Sequence, residues 1–166
     1  DNFLPTELFQ NIKNYLEGEE VPWFYRPIDC DVGTKNKNGF FRFCYYNNHV
    51  PDSPKYFEHI TPIWEHMKLS EVGVIQVVCN LSFRDKDCIE TDFHTDVDPN
   101  IRSKTSILYV NTNNGGTVFN INGEEKKIDS VENRFVTFDS SLRHKIKYQT
   151  DTFRRIIINF NYFTGL

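Results

Sequence analysis

The residues best equipped for chemistry lie in TDFHTDVDPN, Thr91 to Asn100, where His94 and Asp96 stand two positions apart among acidic and small polar neighbours. An imidazole nitrogen and a carboxylate oxygen both bind first-row metal ions. In an extended segment residues i and i+2 project to the same side, so both can reach one ion. The pair alone weighs little: with five His and twelve Asp in 166 residues, chance places a His-x-Asp in about one such chain in three.

A site needs a third ligand, and His144 in DSSLRHKIKYQ is the candidate. It follows Asp96 by 48 positions and opens an expected strand, which a jelly roll can lay beside the first pair. Two His and one carboxylate on one face of an octahedron leave three positions open, the arrangement of non-haem Fe(II) oxygenases; the same ligands also suit zinc. His59 and His66 lie on a helical pattern with no acidic or sulfur partner at metal-binding spacing, and read as packing residues.

Arginine separates the two chemistries. Ten residues after His144 begins the strand pattern of RRIIINFNYF, which puts Arg155 eleven after it. Arg155, Ile157, Asn159 and Asn161 share one face, while Ile156, Ile158, Phe160 and Tyr162 share the other. An Asp-ligated Fe(II) carries a net charge of about +1 and a chelated 2-oxoglutarate about −2, so one guanidinium neutralises the assembly and its fork fits the distal carboxylate. A zinc hydrolase has no such need. Arg154 is the rival for that role, and both arginines also fit a plain charged strand end.

The elements that must position these groups are mostly strands. LPTELFQNIKNYLEG reads as a helix, with Pro5 in the first turn, Leu8, Ile12, Tyr15 and Leu16 at helical spacing, and Gly18 as its stop. SPKYFEHITPIWEHMKL reads as a second, capped by Ser53 and kinked or split at Pro62. Between them VPWFYRP and GFFRFCYY predict one or two strands. From Val72 the β-rich runs VGVIQVVCNLSF, KTSILYVN, GGTVFNI, RFVTFDS, RHKIKYQ and RRIIINFNYF follow one another without helices. Asn113-Asn114-Gly115-Gly116 and Asn122-Gly123 are expected to supply positive-φ turns. The pattern means an antiparallel sandwich or barrel and excludes a Rossmann crossover fold.

Bulk properties set the remaining bounds. A chain of 166 residues is expected to form one domain, 1–166, with a helical part over about 1–70 and a jelly-roll core over about 72–163. Aromatic residues make up 15%, which suits a sheet-built core. A net charge of −4 gives no broad attraction to phosphate backbones, so nucleic acid is disfavoured as a partner. No apolar run spans a bilayer, and DNFLPTELFQ lacks the order of a signal peptide. Cys30, Cys44, Cys79 and Cys88 show no C-x-x-C spacing, which points to a reduced, cytoplasmic protein.

Taken in order, His94-Thr95-Asp96, KTSILYVNTNNGGTVF, NRFVTFDSSLRH and RRIIINFNYF resemble the 2-oxoglutarate and Fe(II)-dependent dioxygenase superfamily. The likeness runs over roughly 72–163 and is nearest to the small phage and marine-microbial members akin to prolyl 4-hydroxylases. It implies a mainly β, double-stranded β-helix (jelly roll) with two flanking N-terminal helices. It further implies His94, Asp96 and His144 as iron ligands and catalytic centre, and Arg155 as partner of the cosubstrate carboxylate. Tyr109 matches a tyrosine whose hydroxyl meets the same carboxylate, and Asn80 resembles an asparagine that some members aim at the cosubstrate. Collagen-type prolyl hydroxylases carry Lys where Arg155 stands, so their substrate does not transfer.

The leading expectation is therefore an oxidoreductase that hydroxylates a C–H bond with Fe(II), 2-oxoglutarate and molecular oxygen, ascorbate being a candidate reductant. A peptide or protein substrate, prolyl hydroxylation above all, or a small molecule fits this core, and a nucleobase dealkylase would use the same one. A non-enzymatic jelly-roll binding module is the alternative from another class, and a zinc hydrolase ranks third.

Overall fold

The computed structural model describes residues 1–27, 39–84 and 90–164; Cys30 and Cys88 lie outside them. The chain opens with helix α1 (Thr6–Glu17), whose Phe9, Ile12 and Leu16 form one buried stripe at helical spacing. Strands β1 (Phe24–Arg26) and β2 (Phe40–Asn47) are the two expected aromatic strands, and a short β3 (Val50–Pro51) pairs with β2; all three lie within the part read as mainly helical. The second expected helix is split. Pro54–Phe57 forms α2 and Thr61–His66 forms α3, because Pro62 cannot continue the first helix but fits the opening turn of the next. Ser53 occupies the cap position of α2 in extended conformation, without a side-chain capping bond.

The remaining strands are β4 (Val74–Phe83), β5 (Ser103–Tyr109), β6 (Gly116–Ile121), β7 (Glu124–Asp129), β8 (Arg134–Asp139), β9 (His144–Lys147) and β10 (Arg154–Phe163). They build two antiparallel sheets. The larger runs β1-β2-β4-β10-β5-β8, with β3 paired to β2, and the smaller runs β7-β6-β9. Besides the two-residue β3, strand β7 is absent from the sequence expectations. EEKKID has almost no buried face, so it lacks hydrophobic alternation, and its charges protect a sheet edge.

Asn122 and Gly123 take positive φ (55° and 87°) in the tight turn between β6 and β7, as expected. None of Asn113, Asn114, Gly115 and Gly116 has positive φ, which corrects the turn reading of that stretch, and the two glycines serve another purpose. Their role is close approach: a Cβ on Gly115 would lie 2.8 Å from the Lys147 carbonyl oxygen, and one on Gly116 would strike the Ile128 carbonyl. The missing side chains let β6 sit tightly between β9 and β7.

Strand β10 is central, with β4 on one side and β5 on the other. Its two faces serve two cores. Ile156, Ile158 and Phe160 pack outward with Leu4, Phe9, Ile12 and Leu16 from the N-terminal segment and with Val77 and Cys79 of β4. Ile157 turns inward and joins Ile107, Tyr109, Phe119 and Phe138. The inner cluster is smaller because the space between the sheets is shared with polar groups of β10. Among the described residues, no helix is long and apolar enough to cross a membrane.

Candidate metal centre

The two histidines are brought together by backbone pairing. Residues around Glu90 and His94 run antiparallel to β9, with bridges at Glu90–Lys147 and His94–His144. His94 N–H donates to the His144 carbonyl (2.9 Å), and His144 N–H donates back to the His94 carbonyl (3.0 Å). Residues paired in this way present their side chains on one face. The rings accordingly lie 4.7 Å apart, centroid to centroid. Asp96, two residues beyond His94, adds its carboxylate: Oδ1 is 3.7 Å from His94 Nε2, and Oδ2 is 3.7 Å from His144 Nε2.

These three side chains offer ligand atoms that all lie within 4.8 Å of one another. Adjacent ligands on an octahedral ion at about 2.1 Å stand about 3 Å apart, so a modest inward rotation of each side chain closes the set. Both histidines are already turned for this. His94 Nδ1 lies 3.1 Å from the Asp92 carbonyl oxygen and His144 Nδ1 3.1 Å from that of Leu142. A carbonyl accepts only a proton donor, so each neutral ring carries its hydrogen on Nδ1 and leaves Nε2 free to ligate. Burial pushes the His144 pKa down, against the pull of Asp96, which favours the neutral ring that a metal requires. The donor set fits a borderline divalent ion such as Fe(II) or Zn(II).

Arg155 lies on the same inward face of β10 and is 2% exposed. Its Nε and Nη2 are buried without a hydrogen-bond partner among the described residues. Burial lowers its pKa, with the Tyr109 and Tyr148 hydroxyls opposing that shift. The guanidinium carbon stands 5.6 Å from the centre of the Tyr109 ring. A buried guanidinium with idle donors is costly unless an anion completes it. Arg154 points the other way: its Nη1 donates to the Glu17 carbonyl at the end of α1 (3.1 Å).

Tyr109 is fully buried, and its hydroxyl donates to Thr117 Oγ1 at 2.8 Å. The expected contact with a carboxylate therefore competes with a partner on β6. Thr117 went unnoticed in the sequence because a threonine in a strand carries no signal of its own. Asn80 lies in register with Ile157, so it shares the inward face, and its Oδ1 is buried and without a partner among the described residues. Asn159, also missed, has Nδ2 3.4 Å from Asp96 Oδ2. Its signal was present: it sits four residues after Arg155 on the polar face of the strand. His59 and His66 stay outside the centre, stacked on Tyr15 and set edge-on against Phe3.

Fold and site together define a double-stranded β-helix carrying two histidines and one carboxylate between its sheets. Comparison by structure gives the same class: the chain has the fold of the 2-oxoglutarate/Fe(II) oxygenases. It superposes on a Trichoplax adhaerens prolyl hydroxylase, solved with a hypoxia inducible factor oxygen degradation domain peptide, with a TM-score of 0.66 at 16% identity. That match covers 98% of this chain and 81% of the other. A Pseudomonas putida prolyl-4-hydroxylase matches with a TM-score of 0.55 at 15% identity over 99% and 90%. The epimerase SnoN, in complex with Fe3+, alpha ketoglutarate and nogalamycin RO, matches with a TM-score of 0.69 at 8% identity over 98% and 76%. No protein-family model and no curated protein matches the sequence.

Proposed function

We propose that this chain is an Fe(II)- and 2-oxoglutarate-dependent dioxygenase in which His94, Asp96 and His144 hold the iron and Arg155 holds the distal carboxylate of the cosubstrate. The observation that carries this reading is a ready metal triad together with a buried guanidinium, two of its nitrogens unpartnered among the described residues, on the inward face of β10 that also brings Asn159 to Asp96. Four residues of strand, Arg155 to Asn159, span about 13 Å. A five-carbon diacid and the arginine side chain bridge that gap between them. When bound, Fe(II) with 2-oxoglutarate supplies the oxidising power: one oxygen atom of O2 enters a C–H bond of the substrate, and the other enters succinate as carbon dioxide leaves.

The chain's own residues supply binding, orientation and exclusion of water. Ile107, Phe119, Phe138 and Ile157 line the space between the sheets with apolar surface, which strengthens the Arg155–carboxylate pair by lowering the local dielectric. Tyr109 backs the guanidinium, and Asn80, with its amide turned to present Nδ2, adds a donor to the cosubstrate. The His94 side chain is 44% exposed and that of His144 only 4%. The primary substrate therefore enters from the His94 side, with the cosubstrate behind it. A peptidyl proline is the substrate we favour, supported by the fold shared with prolyl hydroxylases. The unpaired thiols of Cys44 and Cys79 fit a reducing, cytoplasmic setting.

The test is anaerobic addition of Fe(II) and then 2-oxoglutarate to the apo protein. A weak visible charge-transfer band should rise and saturate. Its absence at saturating concentrations sinks the proposal in favour of a non-enzymatic jelly-roll module.

A further inference from the structure

Asn159 is 7% exposed and sits between Val78 of β4 and Ile107 of β5 in the sheet register. Both neighbours are apolar, so an amide here has no partner in its own row. Its Nδ2 faces Asp96 Oδ2 at 3.4 Å, and its Oδ1 is buried with no hydrogen-bond partner among the described residues. The assignment of the two amide atoms follows from chemistry: an ionised carboxylate only accepts, so the amide must turn its NH2 towards Asp96. The orphaned oxygen is then an acceptor waiting for a donor.

The proposed cosubstrate cannot supply one, because 2-oxoglutarate carries only acceptor oxygens at neutral pH. The Nδ1 hydrogens of His94 and His144 are committed to the Asp92 and Leu142 carbonyls. Arg42, whose charge also reaches Asp96, donates its Nη2 to Gln76 at 2.6 Å, and a water held by the ion would supply the missing donor. We propose that Asn159 is a positioning residue of the metal centre, its NH2 steadying the Asp96 carboxylate and its Oδ1 accepting a hydrogen bond from a water in the ion's coordination sphere. This rests on the metal reading above and adds to it. It ties the ligand segment, which pairs with the smaller sheet, to the central strand of the larger one.

The test uses the apo form of this chain, Mn2+ as probe and the near-isosteric variant Asn159→Leu. Mn2+ affinity is read from the signal of the free ion by electron paramagnetic resonance, and held water from the proton relaxation enhancement per bound ion. Wild type should bind Mn2+. Asn159→Leu should weaken it by about 10- to 100-fold, the usual effect of losing an outer-sphere partner, and should lower the enhancement per bound ion. The apo melting temperature should stay level or rise, because the substitution removes an unsatisfied buried acceptor. Unchanged Mn2+ affinity and enhancement would overturn the proposal. So would a fall in apo melting temperature alongside the loss of affinity, which marks a merely structural role. Failure of wild type to bind Mn2+ overturns the metal reading itself, and is distinguishable because it precedes any variant.

Discussion

Arg154 and Arg155 are neighbours in sequence and lie on opposite faces of β10: Arg154 donates to the Glu17 carbonyl at the end of α1, while Arg155 is buried beside the Tyr109 ring. Strand geometry alone separates them. If Arg155 grips the cosubstrate, Arg155→Ala strands a buried carboxylate, a loss of about 3 to 5 kcal/mol. The apparent dissociation constant for 2-oxoglutarate should then rise roughly a hundredfold to a few thousandfold. Arg155→Lys should recover part of this, keeping the charge without the fork. Arg154→Ala should change it little. Titration of the charge-transfer band measures all three, and a larger effect at Arg154 would place the carboxylate site on the other face.

Asp96 is the only carboxylate in the triad. Asp96→Ala should abolish the slow conversion of 2-oxoglutarate to succinate that we expect without primary substrate, and should weaken metal binding as well. Succinate production at the wild-type rate in this variant would mean that the metal is held elsewhere.

Tyr109 and Thr117 share one hydrogen bond across the sheets. Tyr109→Phe leaves the Thr117 hydroxyl without that donor and removes one neutral contact at the carboxylate site. A net hydrogen bond contributes about 0.5 to 1.5 kcal/mol, so 2-oxoglutarate affinity should fall by roughly two- to tenfold, far less than for Arg155→Ala. Equal losses at the two positions would show that the hydroxyl, and not the guanidinium, dominates recognition.

The stability of the apo protein should depend on pH through His144. Burial holds its folded pKa below the ordinary value of 6.5, so between that value and the lower folded one the unfolded chain binds a proton that the folded chain refuses. Stability is therefore fully present above about pH 6.5 and declines as pH falls. Glu90, whose pKa is lowered chiefly by its hydrogen bond from Lys145, acts in the same direction but below its ordinary value of 4.5. The two windows can be read apart. Thermal melts across pH 4 to 8 should show the upper decline in wild type and its loss in His144→Gln; persistence of the decline in that variant would assign it to another group.

How much of this was legible beforehand follows from the range over which each signal acts. The residue types of the triad, the inward phase of Arg155 and the Asn122-Gly123 turn could be read from the chain, because side-chain alternation and positive φ are local properties. The split of the second helix at Pro62 was equally local. What the sequence could not supply was register between distant strands. His94 meets His144 because their backbones pair across 50 positions, and no local pattern encodes that pairing. The contacts of Asn159 with Asp96 and of Tyr109 with Thr117 depend in the same way on how the sheets stack. Strand β7 was invisible because its partner, and not its own hydrophobicity, makes it a strand. Gly115 and Gly116 looked like turn residues until neighbouring backbone showed that the missing Cβ was the point. Sequence determined which chemistry each strand face carries; tertiary structure decided which faces meet, because burial and long-range hydrogen bonding act between segments that the linear order keeps apart.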